Sequence, residues 1–237
     1  MPTIDDLILE KKRYGLEPTV SIEEKNKLEQ GIPIQYIMGY VEFLNTRINL
    51  NHKVLIPRYE TEEMVYMIIE KYSQISKNID VLDLCCGSGF IGLAIKKNLK
   101  NVNVTLSDID QRAIEQTKEN AQLNFNNHSN IKIVQSDLFE KINTKFDLIV
   151  SNPPYLDEDI VLQNQKNLNF EPQHALFAKN QGWYFYDKIL NQYKNYLKPN
   201  GKLILEINPL HIEKWKTIQN AQIINDINNK PRFVIIV

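Results

Sequence analysis

Asn152, Pro153, Pro154 and Tyr155 follow an apolar run, Leu148, Ile149 and Val150, in the stretch FDLIVSNPPYLDED. Pro153 biases the residue before it away from the helical region, and two successive residues without a backbone N–H stop strand pairing. Asn152 is therefore held extended, where its side-chain oxygen and the Pro153 carbonyl can both serve as acceptors. Two fixed acceptors suit one planar NH2 group. Tyr155 adds a flat face for a conjugated amide or base. A strand merely terminated by prolines would read the same locally, so the neighbouring clusters decide.

Three further clusters fall at the ends of expected strands. DLCCGSGF puts Asp83 near one strand end, then Cys85, Cys86, Gly87, Ser88 and Gly89 in a turn that enters a helix. Glycine there permits close backbone approach to a ligand, although such turns are as often purely structural and would serve a dinucleotide equally. Asp108 ends the next strand in VTLSDID, and an acid about 20 residues after such a turn accepts ribose hydroxyls. Its ordinary alternative is to cap the following helix, a role Asp110 can fill instead. Asp137 and Leu138 end a third strand in IVQSDLF, where a carboxylate or backbone amide meets an adenine amino edge and an apolar side chain packs on the ring.

The four clusters together read as a methyltransferase site. S-adenosyl-L-methionine would occupy the crevice and leave as S-adenosyl-L-homocysteine, with an amino or amide nitrogen as acceptor. An amide nitrogen is a poor nucleophile because its lone pair is delocalised. Accepting both its hydrogens on Asn152 and Pro153 localises that density, so catalysis is positioning plus electrostatics and needs no strong base.

The elements that must hold these residues follow from periodicity. Residues 1–40 carry apolar positions at helical spacing, with Ser21 and Glu24 as a capping box, and predict a short helical unit. Residues 41–58 predict a β-hairpin linker: Val41, Phe43, TRINL and KVLIP as strands, NLNH as the turn. Residues 59–237 then alternate helix and strand and end in two runs joined by NNKP. That alternation predicts an α/β, Rossmann-like class I methyltransferase domain, with a mostly parallel seven-stranded sheet and an antiparallel edge hairpin. Neither internal repeats nor low-complexity segments are evident.

Composition narrows the partners. Lys plus Arg total 28 against 29 Asp plus Glu, a formal charge of −1. Proteins that bind by neutralising phosphates carry a basic excess, so nucleic acid is not the expected partner. No apolar run reaches the roughly 18 residues of a membrane span, and MPTIDDLILEKK lacks a secretory leader's cations, so a cytoplasmic monomer is expected. Cys85 and Cys86 are adjacent, which fits neither a disulfide framework nor paired zinc knuckles. His52, His128, His174 and His211 lie far apart, so no metal is expected.

The chain resembles the release-factor glutamine methyltransferases (HemK/PrmC) from about Ile32 to its C-terminus. The resemblance runs through PIQYIMGYVEF, VLIPRYETE, VLDLCCGSGFIGLAI, SDID with KENA, SDLF, NPPY, FEPQHALFA and LKPNGKLILEI. It implies N5-methylation of the glutamine in the Gly-Gly-Gln loop of class 1 peptide chain release factors. It also implies that the 85–89 loop, Asp108, Leu138 and Asn152 bind cofactor, and Asn152 to Tyr155 the glutamine. A substrate-docking role for the helical unit of residues 1–40 is likewise what the resemblance implies. NPPY is similar, too, to the motif of adenine-N6 DNA and guanine-N2 rRNA methyltransferases, so a nucleic-acid amino-group enzyme is the alternative, and a non-catalytic cofactor-binding scaffold a third. Cys85 stands where the family usually has Gly, Cys86 where a small polar residue is common, and Tyr59 where it has a second proline. The region before PIQYI is short. Arg58, Glu60 and Glu62 are further site candidates, although carboxylates at a helix N-terminus have an ordinary dipole explanation.

Overall fold

In the computed structural model the described residues are 1–126, 130–157, 159 and 169–237. His128 lies outside them. The chain opens with α1 (Ile4–Arg13), α2 (Ile22–Glu29) and α3 (Ile34–Met38). Thr3 with Asp6 and Ser21 with Glu24 form reciprocal capping boxes, each satisfying backbone N–H groups that a helix start leaves unpaired. Lys11 bridges the first two helices to Glu24 at 2.6 Å.

A two-stranded hairpin follows, β1 (Tyr40–Phe43) and β2 (Thr46–Asn49). Its turn differs from the expectation. Phe43 pairs with Thr46, so the loop is Leu44–Asn45, both at positive φ (48° and 57°), as a two-residue hairpin turn matched to strand twist requires. NLNH is not the turn, and KVLIP forms no strand. Four of its five residues instead line a cavity described below.

Next come α4 (Tyr59–Tyr72), β3 (Ile79–Leu84), α5 (Phe90–Asn98), β4 (Val102–Asp108), α6 (Gln111–Asn124), β5 (Ile131–Gln135) and β6 (Phe146–Ser151). Two short strands, β7 (Leu156–Asp157) and β8 (Phe177–Ala178), pair in parallel. Then α7 (Tyr184–Gln192), β9 (Leu197–Glu206), α8 (Ile212–Lys216), β10 (Ala221–Asn225) and β11 (Pro231–Ile236) complete the chain. The main sheet has the order β10-β11-β9-β6-β3-β4-β5, parallel except for β11, which runs against both neighbours.

Side chains alternate across this sheet. Val81, Leu148, Val150 and Ile204 face α4, α5 and the hairpin, whereas Leu82, Ile149, Leu203 and Leu205 face α7 and α8. Both faces are thus covered, as a parallel sheet demands. The strand order reverses between β3 and β6, the place where open α/β sheets leave a crevice beyond the strand ends. Among the described residues no helix is long and apolar enough to cross a membrane, and no cluster of His, Cys, Asp and Glu is placed to hold a metal.

Candidate active site

At that reversal lies a cavity of about 360 Å³, within the size range of small-molecule sites. The loops after β3, β4, β5 and β6 supply Cys85 to Ser88, Asp108 to Asp110, Ser136 to Leu138, and Asn152 with Pro154. All four sequence clusters therefore meet in one space, although they span nearly 70 residues of chain.

The loop after β3 takes its shape from left-handed backbone. Cys85 has φ 60°, Gly87 54° and Gly89 84°. Cys85 thus adopts the conformation that glycine normally supplies, so the departure at this position leaves the turn intact. Burial raises both thiol pKa values, with Asp108 adding to the effect, which keeps the pair in its unreactive neutral form. Buried polar residues of α6 grip the loop from behind. Thr117 donates to the Gly87 carbonyl at 3.1 Å, and Asn120 donates to Ser88 at 2.9 Å while accepting from the hairpin's Asn49 N–H. Gln116 accepts from the His52 N–H. One helix face thus registers both loop and linker. Nothing in the sequence reading singled out these side chains, though Asn120 lies in the KENA motif.

Asp108 closes the cavity beside this loop. Its two oxygens accept from Gly87 N–H at 2.8 Å and Asp110 N–H at 2.9 Å. Burial raises its carboxyl above the ordinary value, and those two donors offset this only in part. A carboxylate has about four lone-pair sites, so acceptor capacity remains for a pair of hydroxyls. Asp110, not Asp108, caps α6 through Arg112 N–H, and its other oxygen meets His174 Nε2 at 3.0 Å.

Four expected site residues do not line the cavity. Asp83 faces α5, where it accepts from Gly92 N–H at 2.8 Å, and burial lifts its carboxyl to about 8. Strand alternation aims it under the helix and away from the crevice. Gly89 serves packing: a Cβ there would meet Thr117 Cγ2 at 2.9 Å. Pro153 and Tyr155 are likewise absent from the wall, to which Asn152 and Pro154 belong. The Tyr155 hydroxyl donates to buried Glu206 at 3.0 Å, so its ring is not the open face expected for a substrate amide.

Glu206, at the end of β9, is 1% exposed and also accepts from Thr61 Oγ1 at 2.6 Å. Thr61 in turn accepts from Asn152 Nδ2 at 3.2 Å. Burial raises the Glu206 carboxyl above its ordinary value, and the two hydroxyls and the charge of Arg232 offset this only in part. Arg58 lines the cavity and pairs with buried Glu171 at 2.6 Å, and Glu171 also accepts Ile56 N–H at 3.0 Å. Glu60 and Glu62 are not part of the wall. Thr61, Pro172, His174, Tyr184, Phe185 and Lys188 are, and residue-type reasoning missed all six; the available signals were the IPRYETE and FEPQHALFA stretches that carry three of them.

The fold, and a crevice at its switch point with these loops, define a Rossmann-like class I methyltransferase. A family model described as "Methyltransferase small domain" matches residues 66–180. A solved ribosomal protein L11 methylase from Lactobacillus delbrueckii subsp. bulgaricus superposes with a TM-score of 0.57 at 20% identity, over 80% of this chain and 83% of that one. The chain is 40% identical over 202 residues to the release factor glutamine methyltransferase of Lactococcus lactis subsp. lactis, covering 84% of this chain and 73% of that protein. It is 35% identical over 239 residues to the protein of the same name from Leptospira interrogans, covering 97% and 82%. The chain belongs to the release factor glutamine methyltransferase family.

Proposed function

We propose that this protein methylates the side-chain nitrogen of the glutamine in the Gly-Gly-Gln loop of class 1 release factors, with S-adenosyl-L-methionine as donor, in the cytoplasm. The carrying observation is that Asn152 shares one cavity with the Cys85–Ser88 loop and Asp108. Asp108 has acceptor capacity for ribose hydroxyls, Ile109 and Leu138 offer apolar surface to a purine, and the 85–88 loop presents backbone. These residues fit the cofactor, which when bound supplies an electrophilic methyl on a sulfonium.

Asn152 accepts a hydrogen from the glutamine NH2 and so holds the nitrogen toward the cavity. Its pull on that N–H raises electron density at an otherwise delocalised nitrogen. With the donor bound, that nitrogen would take up its methyl and leave the neutral thioether S-adenosyl-L-homocysteine behind, and the methylated nitrogen would give up one proton to solvent. Because burial and left-handed loop geometry predispose the site before substrate arrives, the rate gain is one of orientation. The leading helices, tied to α4 by Arg13 donating to the Tyr59 hydroxyl and to the linker hairpin by Glu42 N–H donating to Tyr14, are the proposed docking unit for the release factor.

Mass spectrometry of the release-factor peptide after incubation with enzyme and donor tests this. One added methyl on the glutamine is expected. Methyl transfer to rRNA or DNA in its place would overturn the reading.

A further inference from the structure

We infer that Thr61 and Glu206 are positioning residues that decide which end of the Asn152 carboxamide faces the cavity. The inference rests on the functional reading above and adds to it a specific source of acceptor polarity.

An asparagine carboxamide has a donor end and an acceptor end of nearly equal shape, and only its partners choose between them. In its ionised form, which two hydroxyl donors and Arg232 favour, the Glu206 carboxylate accepts hydrogen bonds and cannot donate. Both oxygens of Glu206 accept already, one from Thr61 and one from Tyr155. Thr61 has a single hydroxyl proton. With that proton committed to Glu206, Thr61 Oγ1 can only accept from Asn152, so the atom 3.2 Å away must be the NH2. The carboxamide oxygen is then left for the cavity. An Asn152 turned the other way would meet a substrate NH2 with another NH2.

The arrangement gives a reason for a carboxylate directly after the buried apolar run Leu203–Leu205 of β9. A buried charge is costly unless paired and hydrogen-bonded. Glu206 is hydrogen-bonded by side chains from two separate elements, α4 and the segment after β6, and thereby ties Asn152 and Tyr155, on either side of the two prolines, to one fixed acceptor.

Three variants test it. Thr61→Val keeps the shape and removes the hydroxyl, Thr61→Ser keeps the hydroxyl, and Glu206→Gln supplies an NH2 that can donate to Thr61 and release its proton toward Asn152 Oδ1. In Thr61→Val and Glu206→Gln, kcat is expected to fall about 10²-fold, with donor affinity by calorimetry close to wild type. Thr61→Ser should retain most of the activity. A second measurement needs no substrate: the Asn152 side-chain amide pair in NMR, assigned as the pair that Asn152→Asp removes. In wild type and Thr61→Ser one of its protons should be shifted downfield and slow to exchange, and in Thr61→Val it should not. A folded Thr61→Val with an unchanged amide pair, or with undiminished kcat, would overturn the inference. Wild-type enzyme that transfers nothing to a release factor would instead remove the functional reading, while the amide pair would still decide the orientation.

Discussion

Gly182 stands so close to Tyr155 that a Cβ on it would lie 2.1 Å from the Tyr155 carbonyl oxygen. Its φ is 83° as well, so two separate constraints require glycine there. The loop before α7 is thus the template against which the backbone after β6 is laid, far from it in sequence.

Gly182→Ala is therefore expected to displace the backbone at Tyr155. Stability should fall by about 2 kcal/mol or more, since overpacking and positive-φ strain add. Activity should fall further than stability explains. Thermal melting paired with methyl-transfer rates separates the two effects, and a variant with unchanged kinetics would show that the contact does not shape the site.

Asn152→Ala removes the acceptor itself. Loss of one preorganised hydrogen-bonding group in a site of this kind typically costs about 10²-fold or more in kcat. The melting temperature should change little, because Asn152 is only partly buried and makes one side-chain bond, to Thr61. Single-turnover kinetics on the release factor would read the loss.

Asp83 makes a prediction about pH. Its carboxyl is lifted to about 8, first by burial and further by Asp108. A group whose folded pKa lies above its unfolded value of 3.8 favours folding fully at lower pH, and that contribution is lost as pH rises through about 8. Asp83→Asn keeps an acceptor for Gly92 N–H and has no proton to lose. The wild type should therefore lose stability relative to the variant as pH rises from 3.8 to about 8. Parallel melting curves for the two proteins across that range would refute this.

Arg58 and Glu171 join the linker to the segment beyond β7. Glu171 is 2% exposed, so removing Arg58 leaves a buried carboxylate without its cation. Arg58→Met should cost about 3 kcal/mol, near the low end for broken buried pairs because the Arg58 side chain is itself a third exposed. Adding Glu171→Gln should recover part of that loss. Chemical denaturation of the single and double variants measures both, and an Arg58→Met variant of wild-type stability would show the pair to be energetically idle.

Much of the architecture was legible because it is local. Apolar periodicity marked the strands and helices of the catalytic domain, Ser21 and Glu24 announced a helix start, and NNKP announced the closing hairpin. The first hairpin was misplaced because its turn residues, Leu44 and Asn45, lack the glycine that usually advertises positive φ. Of the candidate site, Cys85 to Ser88, Asp108, Asp137, Leu138, Asn152 and Pro154 reach the cavity. Asp83, Gly89, Pro153 and Tyr155 do not: Asp83 and Tyr155 are taken up by Gly92 N–H and Glu206, and Gly89 packs against Thr117, partners that only the folded chain brings near.

Sequence alone settled the strand-to-helix alternation, the glycine-bearing turn after β3 and the extended, unpaired backbone at Asn152, all of which depend on a residue and its immediate neighbours. Only the tertiary structure could bring Thr61 and Glu206, separated by 145 positions, within 2.6 Å. A hydrogen bond's direction is set by what each partner still has left to give, and that inventory exists only once the chain has folded.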